Sequence, residues 1–165
     1  MHDAVPLKVW SRCGAAAVVA AFNVLAEGGG VSGSLYASDV PDLTGQRFAI
    51  FDWYAKRCHL VARDEPTELE LAEDDAAMYV LVPADDEFAV IGIVDKYVTP
   101  ATIRDQARLP GRCVVTLRVG GQLGYTIPHP HTVLVNGAAV EPRREDGYFT
   151  VPCPGDGALV ELIRS

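Results

Sequence analysis

Short apolar runs, separated by glycine and proline, constrain this chain more than any other feature. They begin with Pro6–Trp10 and Ala16–Val24, continue through Arg47–Phe51, Cys58–Ala62 and Thr67–Leu71, and then Ala76–Val82 and Phe88–Val94. Arg112–Val119, Leu123–Ile127, Thr132–Val135, Tyr148–Val151 and Ala158–Ile163 complete the series. The run TELEL (67–71) alternates strictly, leucines on one face and glutamates on the other, which is the pattern of a half-buried strand. AAMYVLV (76–82) and FAVIGIV (88–94) are almost continuously apolar, as expected of strands buried on both faces or central in a sandwich.

The punctuation predicts how the runs connect. Asn136-Gly137 between TVLV and AAVEP predicts a two-residue hairpin, because a type I′ turn needs positive φ at both central positions. Asp146-Gly147 and Gly120-Gly121 are read the same way. Only ASDVPDL (37–43) suggests a short helical turn, with Ser38 or Asp39 as its cap. Leu25–Gly33 is expected to be a flexible loop. About a dozen short strands at roughly 8–12-residue spacing, with no long amphipathic helix between them, predict an all-β fold, an antiparallel two-sheet β-sandwich. The 165 residues suit a single β-sandwich domain over 1–165, with a polar, proline-flanked crossover segment near 99–112.

Charge narrows the partners. The net charge is −8, and no Lys/Arg cluster exceeds a pair such as Arg143-Arg144, so neither nucleic acid nor an anionic membrane surface is expected. No apolar run reaches the roughly 20 residues that span a bilayer. Ala15–Val24 lacks a basic n-region and a cleavage site, so it reads as strand rather than signal peptide, and the expected location is cytoplasmic. Cys13, Cys58, Cys113 and Cys153 form no CxxC motif and are expected as reduced, buried or half-buried thiols.

No catalytic constellation emerges. Asp64-Glu65, Asp74-Asp75 and Asp85-Asp86-Glu87 fall in expected turns, where sequence neighbours rarely face each other across the 5 to 10 Å or so that glycoside hydrolysis requires. His129-Pro130-His131 offers two imidazoles without a third ligand at metal spacing. Cys58 and His59 are strand neighbours and point to opposite faces, which argues against a catalytic pair. With no phosphate loop and no nucleophile elbow, the expectation is no catalytic residue, no cofactor and no metal. The aromatics remain. Trp53-Tyr54 sits where one strand should turn into the next, and Trp10 lies on the first strand. Trp53 and Tyr54 suit a sugar face, a neighbouring domain or, first of all, an ordinary corner of the core, and Trp10 is expected beside a preceding domain, as an interdomain or sugar contact.

The chain enters strand-like sequence by its fifth residue, with no leader, which raises the expectation that it is one domain of a larger enzyme. Four segments in order carry a resemblance: LKVWSRCGAAAVVAAFNV (7–24), VSGSLYASDVPDL (31–43), EFAVIGIVDKYVTPATI (87–103) and LRVGGQLGYTIPHPHTVLVNGAAV (117–140). Together they resemble the C-terminal region of the raffinose synthase and seed imbibition protein group of glycoside hydrolases, relatives of family 36 α-galactosidases. In that group a β-sandwich follows a catalytic (β/α)₈ barrel. The resemblance implies a non-catalytic C-terminal accessory domain that packs on a barrel of the same or a companion polypeptide. The barrel's aspartates have no counterpart here, because a barrel alone needs about 250 residues. The chain departs from plant members in having only LAEGGG after Asn23-Val24, and in placing Val90 where they tend to have proline. The alternative reading is a carbohydrate-binding module for galactose-containing oligosaccharides, with Trp53 and Tyr54 as its platform.

Overall fold

The computed structural model describes residues 5–165. The fold is all-β: sixteen strands among the described residues form antiparallel sheets, with two short 3₁₀ turns and no α-helix. Contacts divide the chain into two compact units that meet in sequence at Ala84 and Asp85.

The first unit contains β1 (Leu7–Cys13), β2 (Ala16–Phe22), β3 (Val31–Leu35), the 3₁₀ turn η1 (Ala37–Asp39), β4 (Arg47–Asp52), β5 (Arg57–Ala62), β6 (Thr67–Leu71) and β7 (Ala76–Pro83). Its main sheet runs β1-β2-β7-β4-β5, and β3 and β6 form a separate ribbon. Alternation explains the layering. Leu69 and Leu71 of TELEL are buried while Glu68 and Glu70 are exposed. The leucines join Val19, Phe48, Ile50 and Leu81 of the main sheet in one core. Burying each such side chain contributes about 1.5–3 kcal/mol. Val40 and Leu43, just after η1, seal that core. Asp39 belongs to the end of η1 rather than its cap: its carboxylate accepts the Tyr36 N–H at 2.9 Å and the Lys8 ammonium at 2.5 Å, which ties η1 to β1.

The segment 25–33 differs from the expected flexible loop. The Asn23 side-chain amide donates to the carbonyls of Gly29 at 2.7 Å and Ala72 at 2.8 Å, and Val31–Gly33 already belongs to β3. One asparagine pins the loop that Gly28-Gly29-Gly30 would otherwise leave slack.

The second unit contains β8 (Ala89–Ile93), η2 (Thr99–Thr102), β9 (Ile103–Leu109), β10 (Arg112–Leu117), β11 (Gly121–Thr126), β12 (His131–Val135), β13 (Ala138–Ala139), β14 (Arg143–Arg144), β15 (Phe149–Cys153) and β16 (Leu159–Arg164). One sheet runs β13-β12-β16-β10-β9 and the other β14-β15-β11-β8. Val115, Leu117, Val133 and Leu162 of the first share a core with Val90, Ile93, Leu123 and Tyr125 of the second. The segment 99–112 carries the chain from one sheet to the other through η2, and then becomes strand β9 and its turn into β10.

Asn136 and Gly137 have φ of 52° and 81°, as the type I′ hairpin between β12 and β13 requires. Gly120-Gly121 does not form a hairpin, contrary to expectation, because β10 and β11 lie in different sheets. The glycines serve close approach instead. A Cβ on Gly120 would lie 2.6 Å from the Gly155 nitrogen, and one on Gly121, at φ +139°, would lie 2.5 Å from Ile93 Cγ2.

Candidate functional site

Two depressions concentrate the polar side chains, one in each unit. The larger, about 660 Å³, lies in the first unit and is lined by Asp52, Tyr54, Arg57, Glu68, Glu70 and Tyr79, among others. Strand register builds it. Tyr79 on β7 is opposite Asp52 on β4, and Asp52 is opposite Arg57 on β5, so the three share one sheet face in a row. Asp52 is buried. Its Oδ1 accepts the Ala55 N–H at 2.9 Å, which shapes the turn after β4, and its Oδ2 stands 3.9 Å from Arg57 Nε. Glu68 and Glu70 come from the exposed face of β6. Burial, followed by the nearby Asp52 carboxylate, raises the Tyr79 phenol above the usual tyrosine range.

The aromatics singled out from the sequence fall in different places. Tyr54 is 58% exposed and borders this cleft. Trp53 stands edge-on to it with centroids 5.3 Å apart, and the Lys56 ammonium lies 3.6 Å over the Trp53 ring, covering one indole face. Trp10 is on the edge strand β1, opposite Val19, and is 44% exposed. The structure brings Trp53 and Tyr54 together, and Trp10 stands on a different strand. Asp52 and Tyr79 were missed because both lie inside apolar runs, FAIFD and AAMYVLV, that read as plain core. The signal that could have found Asp52 is a carboxylate at the end of such a run, directly before Trp53-Tyr54.

The second depression, about 540 Å³, is lined by His129, His131, Arg144, Tyr148 and Phe149 with the prolines of the 128–130 turn. The two histidines are separately engaged. His131 Nε2 lies 2.9 Å from the Tyr125 hydroxyl, and His129 Nε2 lies 3.2 Å from Glu87 Oε1. Glu87 also accepts from Arg164 at 2.9 Å. Among the described residues no three His, Cys, Asp or Glu side chains converge as a metal site. His59 bonds Thr67 Oγ1 at 3.0 Å while the neighbouring Cys58 is buried, so the two side chains point apart as strand alternation dictates. All four cysteines are free thiols.

No protein-family model matches the chain. The chain is similar to a galactinol–sucrose galactosyltransferase of Oryza sativa subsp. japonica, with 29% identity over 133 residues that cover 73% of this chain. The matched part is 17% of that protein's length. The resemblance to the raffinose synthase group therefore holds at the level of sequence, and the all-β architecture agrees with a β-sandwich region of such an enzyme.

Proposed function

We propose that this chain is a non-catalytic accessory region of a raffinose-synthase-like or α-galactosidase-like enzyme, a support for a catalytic (β/α)₈ barrel carried on the same or a companion polypeptide. The likeness to a galactosyltransferase more than five times the length of the matched part supports the reading. The observation that carries it is the outer face of the β1–β2 edge. Leu7 is 49% exposed, Val9 is 52% exposed, and they stand opposite Phe22 and Ala20 on that face. A bare apolar edge strand pairs readily with foreign strands, and proteins ordinarily cover or charge such edges. A barrel seated there would cover it. Trp10, on the opposite face of the same strand, would lie at the margin of that contact.

The test is the thermal stability of the barrel. Adding this chain to the purified barrel should raise the barrel's unfolding temperature in a saturable way, because a partner that binds only the folded form stabilises it by mass action. An unfolding temperature that does not move at saturating chain would overturn the proposal.

A further inference from the structure

Charge sets the depression of the second unit apart. Glu68, Glu70 and Asp75 line the hollows of the first unit, and Glu141 lines a neighbouring hollow in the second. No Asp or Glu lines the depression at His129 and Phe149, although the chain carries a net charge of −8. Its one permanent cation is Arg144. Arg144 has no ion pair or hydrogen bond among the described residues, whereas other arginines of this unit are engaged. Arg143 holds Glu145 at 3.2 Å, Arg104 holds Asp156 at 2.6 Å and Arg164 holds Glu87 at 2.9 Å.

Strand register aims the free guanidinium. Arg144 on β14 is opposite Phe149 on β15, and Phe149 is opposite Tyr125 on β11, so the three share one sheet face in a row from rim to core. Tyr125 is buried, Phe149 is half-buried and Arg144 is exposed. Arg143, one residue earlier, stands on the other face with Thr150. Pro128 and Pro130 line the same hollow, and the His131 ring meets Phe149 edge-on at 5.0 Å. Both His131 nitrogens are engaged, one 2.9 Å from the Tyr125 hydroxyl and the other 3.0 Å from the His129 carbonyl, so His131 offers only its ring edge. The result is a wall of rings with a single unpaired guanidinium at its margin.

We propose that this depression binds a small aromatic carboxylate, its charged end on Arg144 and its ring against Phe149 and the prolines. A guanidinium holds a carboxylate through two parallel N–H···O bonds, and the adjoining rings remove the apolar body from water. The volume of about 540 Å³ falls within the range of about 300–1,000 Å³ usual for small-molecule sites. Other ligands match the lining less well. Phosphate asks for several donors, commonly a run of backbone N–H groups, and Pro128 and Pro130 have none to give. A cation would meet Arg144 with no lining carboxylate to offset it. An uncharged ring would leave the guanidinium as it is. The site lies within the second unit and holds whether or not the chain docks on a barrel.

The experiment is a titration of the ¹⁵N-labelled full chain with benzoate, followed by amide chemical shifts. Saturable shifts at millimolar benzoate, centred on His129, Gly147 and Phe149, are the expected result. Acetate and inorganic phosphate carry the charge without the ring, benzamide carries the ring without the charge, and each should bind about tenfold more weakly or less. Arg144→Gln should weaken benzoate binding about tenfold, while Arg143→Gln, on the other face, should leave it unchanged. Arg144 is exposed, so its loss should leave the remaining amide spectrum in place. Shifts that never saturate, shifts that saturate elsewhere, or binding indifferent to Arg144→Gln would overturn the proposal. So would acetate, phosphate or benzamide binding as tightly as benzoate.

Discussion

The Tyr125 hydroxyl donates to His131 Nε2 at 2.9 Å, while His131 Nδ1 lies 3.0 Å from the His129 carbonyl. A carbonyl only accepts, so Nδ1 carries the proton and Nε2 is the bare nitrogen that receives the phenol. Phe149 stacks on Tyr125 with centroids 5.7 Å apart and meets His131 edge-on at 5.0 Å. The three rings hold the strand β12 entry against β11 and β15. Tyr125→Phe keeps the stack and removes the bond, and it should destabilise the chain by about 1 kcal/mol in urea unfolding. An unchanged midpoint would show that the bond contributes nothing net.

Gly92 supports a sharper expectation. At φ +108° a Cβ there would sit 2.0 Å from the Thr99 carbonyl oxygen, so β8 and η2 fit only with glycine. Gly92→Ala should cost about 3 kcal/mol, from overpacking and backbone strain together. Gly137→Ala, at φ +81° with open space around its missing side chain, should cost only about 1 kcal/mol. Equal losses in the two variants would contradict the role given to close approach.

Thr99 and Thr102 lie three residues apart on η2 and should behave oppositely. Thr102 Oγ1 accepts the Ile93 N–H at 2.9 Å and donates to the Thr99 carbonyl, closing the end of β8. Thr99 Oγ1 is buried with no partner among the described residues. Thr102→Val strands a buried N–H and should cost about 1–3 kcal/mol, whereas Thr99→Val should be neutral or stabilising. Unfolding midpoints of the two variants check the contrast.

The thiols give a pH prediction. Burial pushes Cys58 up to about 12 and Cys153 up to about 11 from an ordinary 9.0, and raises Cys113 as well. Above pH 9 the unfolded thiols ionise while the folded ones keep their protons, so the unfolded state binds fewer protons and stability falls as pH rises. The loss should begin near pH 9 and run on to about 12. At neutral pH a thiol reagent should modify the partly exposed Cys13 first and reach the three buried thiols only after denaturation. Rapid labelling of all four in the folded chain would contradict the packing.

The strands were legible where one face is buried and the other wet. TELEL became β6 with its leucines inward, and TVLVNGAAV became the β12–β13 hairpin, because side-chain period and turn chemistry are local properties. β3 and β9 were not legible. VSGSL buries Val31 and Leu35 at its ends and carries small polar residues between, and IRDQARL is an edge strand with little burial, so neither shows a clear alternation. Gly120-Gly121 misled because a glycine pair serves a tight turn and a close backbone approach equally well, and only the sheet partners decide which. The cleft was half legible. Tyr54 was singled out as an aromatic at a turn, but Asp52 and Tyr79 come together through register between β4 and β7, whose closest paired residues are separated by more than twenty positions in sequence.

The isolated chain bears directly on the non-catalytic reading. It should release no chromophore from a chromogenic α-galactoside above the buffer rate. Turnover that survives purification and is lost on substituting a carboxylate of the chain would make it an enzyme in its own right.

Association with the barrel is the most direct test of the account. Sedimentation of this chain mixed with the galactosyltransferase-type barrel of its own organism should show a one-to-one complex. Leu7→Ser with Val9→Ser should abolish it while leaving the unfolding midpoint of the chain within about 1 kcal/mol, since both side chains are half exposed. No complex with the unaltered chain, or a complex equally tight with the altered one, would contradict the claim that this edge is where the barrel sits.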